Sequence, residues 1–189
     1  MSEVQKFLKS IYDLPASSMQ KLEDCLKPVE FKRKEVITWE GHVEKYLYFV
    51  QEGVQKSYYI KDGNEHVIAF TYAPSFSGIP ESFLTQTPSK YFLDTITPSK
   101  LLRLSYDQLQ VLLSEDRHLE RMMQKATEVV LAGLIQRHHE LLAFDIEERF
   151  TAFVKRSPKL LNLIPHKDLA SYLGINATNF SKLLARVKI

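Results

Sequence analysis

The chain has 189 residues, of which 44% are hydrophobic and 25% charged, and its formal net charge is +2, a composition that excludes a disordered, fibrous or polycationic chain. One cysteine, Cys25, is too few for an intrachain disulfide, a cysteine zinc site or an iron–sulfur cluster. Neither a secretory signal pattern nor a bilayer-spanning apolar run is present, so we expect a cytoplasmic protein without a membrane partner.

Residues 1–105 predict two short helices followed by a set of strands. Apolar residues at helical spacing from Val4 to Leu26 predict the helices, and Pro15 opens the second one. Asp62-Gly63 between two apolar runs predicts a tight hairpin, because both turn positions favour a positive φ. Many short strands at regular spacing indicate a small antiparallel barrel or sandwich. The predicted strands are Glu35–Trp39, Tyr46–Gln51, Val54–Ile60, His66–Tyr72, Tyr91–Thr97 and Lys100–Ser105.

From Tyr106 the pattern becomes helical, with helices predicted over Tyr106–Ser114, Asp116–Ala143 and Asp145–Lys155. A stripe of apolar residues on the long middle helix is broad enough to be covered both by the β domain and by the same helix of a second copy. A helix buried wholly within one chain is the alternative. Gly133 favours the pairing of two copies, because a glycine lets another backbone approach. The stripe consists of Leu119, Met122, Met123, Ala126, Val129, Val130, Gly133 and Leu134.

The segment from Pro165 onwards predicts two short helices joined by a sharp turn. Ala170 lets the second helix approach closely, Gly174 supplies the positive φ of the turn, and Asn176 caps the second helix. This is the spacing of a helix-turn-helix, whose second helix enters the DNA major groove; an ordinary helical hairpin is the alternative. The apolar residues that fall where the two helices would touch are Leu169, Leu173, Ile175, Phe180 and Leu183.

The exposed face predicted for the second helix favours DNA over the ordinary hairpin. Residues 158–189 carry five Lys or Arg and one Asp, a net charge of +4, whereas residues 1–115 carry a net charge of −2. Since phosphate attraction requires a cationic surface and Lys or Arg can read guanine, we predict double-stranded DNA as a partner. The residues of this face are small, hydrogen-bonding or cationic, and none is acidic: Ala177, Thr178, Asn179, Ser181, Lys182 and Arg186.

Several segments in chain order resemble one family over nearly the whole length. They are Tyr48-Phe49-Val50-Gln51-Glu52-Gly53, Gly78, Glu81-Ser82-Phe83 through Pro88-Ser89, Ile146-Glu147-Glu148-Arg149-Phe150 and Leu169-Ala170-Ser171-Tyr172-Leu173-Gly174-Ile175. Together they resemble the cyclic-AMP receptor protein / fumarate-nitrate regulator (Crp/Fnr) superfamily, most closely the short branch of Bacteroidetes-type bacteria with undefined effectors.

The resemblance implies an α+β protein with three parts. Residues 1–115 are expected to form an N-terminal antiparallel β-roll sensor domain, a cyclic-nucleotide-binding-like jelly roll. Residues 116–143 are expected to form a long dimerisation helix, and residues 144–189 a C-terminal helix-turn-helix domain that binds DNA. The resemblance also implies homodimers that act at promoters and contact RNA polymerase.

The sensor cassette departs from the family pattern. In the cyclic-AMP-binding members, a Gly-Glu pair and an Arg-Ser pair between two strands bind the ribose and the cyclic phosphate. Here Gly78 keeps the glycine, but Ile79 replaces the acid, Ser89 stands at the arginine position and Lys90 at the serine position. These losses leave a phosphate without its usual partners.

The long helix also places Leu134 and Ile135 where hydroxyls would meet the base. Because an unpaired charge in a partly buried site costs several kcal/mol, we expect no high-affinity cyclic-AMP binding. Lys90 is either a point charge for a phosphate, helped by Ser82 and Ser89, or a solvated loop lysine. The candidate pocket for an undefined small-molecule effector is Gly78, Glu81, Ser82, Ser89, Lys90, Leu134 and Ile135.

An enzyme is not expected. His42 and His66, the histidines of the β domain, lack the spacing of cupin metal ligands. The adjacent His138-His139 point to different sides of a helix. The sequence contains no GxSxG motif, phosphate loop or nucleophile–base spacing. We therefore expect neither a metal nor a cofactor, and haem ligation by a lone histidine has no positive support.

The sequence thus predicts a homodimeric transcription regulator that inserts Asn176–Val187 into the major groove, with the operator and the sign of regulation left open. The alternative is a sensor module that binds a small ligand or a protein partner without operator specificity. On the family pattern, the base-contacting positions hold Ala177, Thr178 and Lys182. Phosphate contacts are assigned to Ser181 and Arg186, and either role to Asn179.

Overall fold

The computed structural model describes residues 2–186, apart from the side chains of Ala177 and Ala185. The fold is α+β: two short helices precede an antiparallel β domain, and a long helix then leads to a C-terminal group of helices. Within residues 2–186, no helix has both the length and the apolar character needed to cross a membrane.

The two N-terminal helices are α1 (Glu3–Ile11) and α2 (Ala16–Cys25), as the helical spacing predicts. The Ser2 side chain caps α1, and Pro15 stands directly before α2. Their apolar faces share one core cluster with the start of the long helix and one end of the β domain.

Strands in the described part of the chain form two four-stranded antiparallel sheets that fold over each other as a β-roll. Sheet A has the order β1-β8-β3-β6, and sheet B has the order β2-β7-β4-β5. The strands are β1 (Lys27–Phe31), β2 (Val36–Thr38), β3 (Tyr46–Glu52), β4 (Val54–Lys61), β5 (Asn64–Tyr72), β6 (Ser75–Ser77), β7 (Phe92–Thr95) and β8 (Ser99–Ser105).

The predicted strands are confirmed, with small shifts at their ends. The hairpin between β4 and β5 is also confirmed, since Asp62 has a φ of 52° and Gly63 a φ of 72°. Three elements of the β-roll were not predicted: β1, β6 and the short helix α3 (Pro80–Thr85). Lysine, proline and glutamate make β1 resemble a loop, and pairing with β8 makes it a strand. The other two elements are too short for a periodic signal.

The helices α4 (Tyr106–Glu115) and α5 (Arg117–Ala143) follow the β-roll, with Ser105 and Asp116 as their N-terminal caps. The apolar stripe of α5 divides into two parts. Its first part, Leu119, Met122 and Ala126, is buried in this chain. Its second part, Val129, Val130 and Leu134, is exposed, as are four apolar residues outside the predicted stripe. We call these seven residues together the exposed face of α5: Val129, Val130, Leu131, Leu134, Ile135, Leu141 and Leu142.

The C-terminal helices are α6 (Ile146–Arg156), α7 (His166–Leu173) and α8 (Ala177–Arg186), with a short 3-10 turn (Pro158–Asn162) between α6 and α7. A capping box of Asp145 and Glu148 begins α6. These helices enclose an apolar core that also contacts sheet B. The buried members of this core are Phe150, Phe153, Leu160, Ile164, Leu169, Ala170, Leu173, Ile175, Phe180 and Leu183 from the helices, with Val54 and Ile96 from the β-roll.

Candidate nucleic-acid interface

A turn at Gly174 joins α7 to α8. Gly174 has a φ of 67°, and its amide donates a hydrogen bond to the Ser171 carbonyl at 3.0 Å. The Ile175 amide donates to the Ala170 carbonyl at 2.9 Å. These bonds satisfy the last carbonyls of α7, as is usual in helices that end at a left-handed glycine. The positive φ predicted for Gly174 is confirmed.

The two helices pack through the residues that the spacing predicts, and α8 is capped as predicted. The Asn176 side-chain oxygen accepts a hydrogen bond from the Asn179 amide at 2.8 Å. The Phe180 ring meets the Phe150 ring edge-on, with their centroids 5.9 Å apart. The side chains buried at this contact are Leu169, Ala170, Leu173, Ile175, Phe180 and Leu183. The opposite face of α8 therefore points away from the core.

That outer face of α8 carries the predicted DNA contacts. The Arg186 guanidinium lies 4.0 Å from the Glu147 carboxylate, and since both side chains are well exposed this pair is weak. The Ala177 side chain and Val187, which the sequence assigns to the reading helix, lie outside the described residues. The exposed residues are Thr178, Asn179, Ser181, Lys182 and Arg186.

Asp168, the one acidic residue of residues 158–189, does not lie on the outer face of α8. Asp168 is buried, with 7% of its side chain exposed, and it pairs with Lys56 of the β-roll at 3.3 Å. Its neighbour Lys167 is 71% exposed. The exposed surface of α7 and α8 is consequently more cationic than the count of charges along the segment indicates.

A second contact joins α7 to the long helix. The Arg137 guanidinium of α5 donates a hydrogen bond to the Tyr172 carbonyl and stacks over the Tyr172 ring, 4.1 Å from its centroid. The buried Glu140 carboxylate accepts a hydrogen bond from Arg156 at 2.8 Å. Burial alone would raise the pKa of Glu140, but the bond from Arg156 holds it below its ordinary value.

Sheet B provides a third contact, which the sequence did not predict. The Val67 amide donates to the Ser171 hydroxyl at 2.9 Å, and that hydroxyl donates to the Glu65 carbonyl at 3.2 Å. The Lys56 ammonium lies 2.6 Å from the Glu65 carboxylate. The pair α7–α8 is therefore held on the β-roll by polar contacts as well as by the apolar core.

Asp94 of β7 lies beside these charges, directly opposite Lys56 in the sheet. Burial, with a smaller effect of the carboxylates of Glu65 and Asp168, raises the pKa of Asp94 to about 6 against the opposing effect of Lys56. The same carboxylates raise the pKa of Lys56, although burial alone would lower it. Three acids thus face one buried ammonium at the contact between the β-roll and α7.

The candidate sensor cassette begins at Gly78, which has a φ of 138°. The Ser82 hydroxyl accepts a hydrogen bond from the Glu44 amide at 2.9 Å and donates to the Thr87 carbonyl at 2.6 Å. The Ser89 hydroxyl likewise bonds to the backbone, at the Tyr91 amide and carbonyl. Both serines therefore hold the loop in shape in this structure.

The other candidate pocket residues lie at the surface. Lys90 is 76% exposed and pairs with Glu81 at 3.2 Å, so its ammonium already has a carboxylate partner. Leu134 and Ile135 belong to the exposed face of α5, where more than half of each side chain is exposed. No group of three His, Cys, Asp or Glu side chains with the placement of a metal site occurs in residues 2–186.

Comparison with known proteins gives one domain match and many structural matches. Residues 28–116 match the family model of the cyclic nucleotide-binding domain. No curated protein sequence matches the chain. FixK2 from Bradyrhizobium japonicum is similar with a TM-score of 0.76 and 18% identity, over 85% of this chain and 83% of that one.

Two other solved structures show the same fold. A CooA mutant from Carboxydothermus hydrogenoformans has a TM-score of 0.69 and 16% identity, over 94% of this chain and 82% of that one. The Catabolite Activator Protein of Thermus thermophilus has a TM-score of 0.59 and 18% identity, over 93% and 84%. FixK2, CooA and this activator are Crp/Fnr regulators. The likeness covers the β-roll, the long helix and the C-terminal helices together.

Proposed function

We propose that this chain, whose residues 28–116 match the cyclic nucleotide-binding domain family and whose fold is that of the Crp/Fnr regulators, regulates transcription by binding double-stranded DNA as a homodimer. The observation that carries the proposal is the outer face of α8. Its described side chains are polar or cationic, while Asp168 of the same segment is buried against the β-roll. We divide the chain into a β-roll sensor domain at 1–115, a dimerisation helix at 116–143 and a helix-turn-helix domain at 144–189.

In this proposal α8 enters the major groove and α7 crosses the backbone. Lys182 reads a base edge together with Thr178 and Ala177, because a lysine can donate to the acceptors of guanine. Ser181 and Arg186 contact phosphates, which position the helix without reading sequence. Asn179 serves either role.

The exposed face of α5 supports the homodimer. Monomeric proteins rarely leave a contiguous row of large apolar side chains in water. Val130, Leu134 and Leu141 are each more than 40% exposed, and their spacing of four and seven residues puts them on one side of the helix. Pairing the same helix from two copies covers this row by two-fold symmetry and places two α8 helices on one duplex.

The cassette supports a loss of cyclic-AMP binding. Ile79 replaces the acid that binds the ribose, and Ser89, at the arginine position, uses its hydroxyl on the Tyr91 backbone. Lys90 at the cassette is paired with Glu81. Isothermal titration of the purified protein with cyclic AMP and cyclic GMP is expected to show no binding, and micromolar binding of either nucleotide would contradict this part of the proposal.

Selection of bound duplexes from a random pool tests the proposed function. A regulator is expected to enrich one palindromic sequence whose two halves lie about one helical turn apart. If no sequence is enriched while the protein remains folded and dimeric, the alternative gains support. That alternative is a sensor module that binds a small ligand or a partner protein without operator specificity.

A further inference from the structure

Lys56 is a buried lysine at the junction of the β-roll and the helix pair α7–α8. It lies in β4, a central strand of sheet B, and only 9% of its side chain is exposed. Its ammonium lies 2.6 Å from the Glu65 carboxylate in β5 and 3.3 Å from the Asp168 carboxylate in α7. It also lies 4.6 Å from the centroid of the Tyr58 ring. One ammonium therefore links two strands to the first helix of the pair.

Stability alone does not explain a lysine at this place. Buried ion pairs are often replaceable by apolar side chains of similar volume without loss of stability, whereas removal of one partner leaves the other charge uncompensated. Apart from the Ser171 bonds and a hydrogen bond of 2.5 Å between the Tyr72 hydroxyl of β5 and Ser157 at the end of α6, the contact between the helices and sheet B is largely apolar and includes Val54 and Phe70. Hydrophobic attraction has no direction, so it permits α7 to slide on the sheet. An ion pair is satisfied at one position only.

Ser171 provides a neutral bond next to the ion pair. Its hydroxyl accepts from the Val67 amide and donates to the Glu65 carbonyl, which belongs to the same residue that pairs with Lys56. Asp168 and Ser171 are three residues apart in one helix, so both face sheet B. The two contacts together fix the rotation and the height of α7 on the sheet.

We propose that Lys56 is a positioning residue that fixes α7 at one place on sheet B and thereby sets the direction in which α8 leaves the β-roll. The inference rests on the proposed function, since α8 is the helix proposed to read DNA. In a symmetric dimer, the direction of the two α8 helices decides which separation of half-sites both can reach. Lys56 thus contributes to the choice of operator without touching DNA.

Loss of the lysine is expected to release α7. Glu65, Asp94 and Asp168 all face the Lys56 ammonium, and the one other described cation at their edge is Lys167, 4.0 Å from Glu65. Without the ammonium, the carboxylates on the strands face the carboxylate on α7 directly. Like charges at short range repel, and the repulsion acts across the contact that holds the helix pair.

Hydrogen exchange tests whether Lys56 fixes α7 on sheet B. Lys56→Met keeps the apolar stem and removes the charge, and Asp168→Asn removes the same ion pair from the helix side with little change of volume. In both variants the Val67 amide, which donates to Ser171, is expected to exchange about tenfold faster or more. Lys100→Met is the matched control, because Lys100 is an exposed strand lysine paired with Glu52. It is expected to leave exchange at Val67 unchanged.

Half-site spacing tests the positioning role itself. The palindrome enriched by the wild-type protein is compared with versions in which one base pair is inserted or removed between the half-sites. The wild type and Lys100→Met are expected to lose about tenfold in affinity for the altered spacings. Lys56→Met is expected to lose about threefold or less, because its α8 helices have no fixed direction. If Lys56 only stabilised the fold, its replacement would lower the unfolding temperature without changing the ratio of the affinities for the original and the altered spacings.

The outcomes separate the two proposals. If the wild type enriches no palindrome, the proposed function fails, and exchange at Val67 alone decides whether Lys56 fixes α7. If Lys56→Met keeps the wild-type preference for spacing, the positioning role is wrong, whatever its exchange rate. If Lys56→Met does not fold, Asp168→Asn is used for both measurements, the exchange of the Val67 amide and the preference for half-site spacing. Unchanged exchange at Val67 in a folded variant also overturns the inference.

Discussion

Replacing Gly174 by alanine is expected to destabilise the turn between α7 and α8. Gly174 has a φ of 67°, a conformation that costs a residue with a Cβ roughly 1–2 kcal/mol. An added Cβ lies 3.0 Å from the Arg149 Nη1 atom and 3.9 Å from the Leu141 Cδ2 atom. The first neighbour is the flexible tip of a side chain and the second is an ordinary contact, so backbone strain dominates. We therefore expect the free energy of unfolding to fall by about 1–2 kcal/mol.

Urea unfolding followed by circular dichroism measures this loss. Gly174→Asn is the matched control, because asparagine adopts the left-handed conformation more readily than alanine, and its loss is expected to be smaller. Gel-shift titration of the selected palindrome should show weaker binding by Gly174→Ala, since the turn orients α8. An alanine variant as stable as the wild type would show that the left-handed turn is not what joins these helices.

Three further predictions concern single residues. Gly133→Ala is expected to strengthen the isolated helix by about 1 kcal/mol but to weaken the dimer in sedimentation. Apart from the adjoining stretch of α5 itself, no described atom of this chain lies within 4 Å of the added Cβ, and a second copy is proposed to pack there. A tighter dimer would contradict close packing at this glycine. Because the pKa of Asp94 is raised to about 6 in the folded chain, stability is expected to fall as the pH rises from about 4 to about 6 and to stay lower above it. Asp94→Asn should remove that fall and raise the free energy of unfolding by about 1 kcal/mol at pH 7.5 in urea titrations. The expected gain is modest because solvent screens the half-buried carboxylate. A pH profile of stability that is the same as that of the wild type would contradict this prediction. Lys182→Ala is expected to cost roughly 1–3 kcal/mol of discrimination between operator and random duplex in gel shifts, whereas Arg186→Ala should weaken both equally; unchanged discrimination removes Lys182 from the reading set.

Features encoded by neighbours in the sequence were predictable. Asp62-Gly63 specifies a hairpin because both residues adopt a positive φ, and the structure has this hairpin. Gly174 and Asn176 mark the end of one helix and the start of the next, and both perform those roles. Such signals act over a few residues, so a local pattern is sufficient to identify them.

Features that depend on distant partners were not predictable. Asp168 counts as a surface charge in its own segment, yet it is buried because Lys56, far away in the chain, lies opposite it in the fold. Ser82 and Ser89 have the chemistry of ligand donors, but the path of their loop directs both hydroxyls to backbone groups. The contact between α7 and sheet B joins segments that are far apart in the chain, so no local periodicity of the sequence predicts it.

The exposed face of α5 has a consequence for how much of the protein is active in a cell. If two copies must meet to cover this row of side chains, the amount of the paired species rises with the square of the total at low expression. Halving synthesis then lowers the paired species by about fourfold, by mass action. If the paired species is the one that binds DNA, as proposed, gene dosage would act on DNA binding more steeply than in proportion.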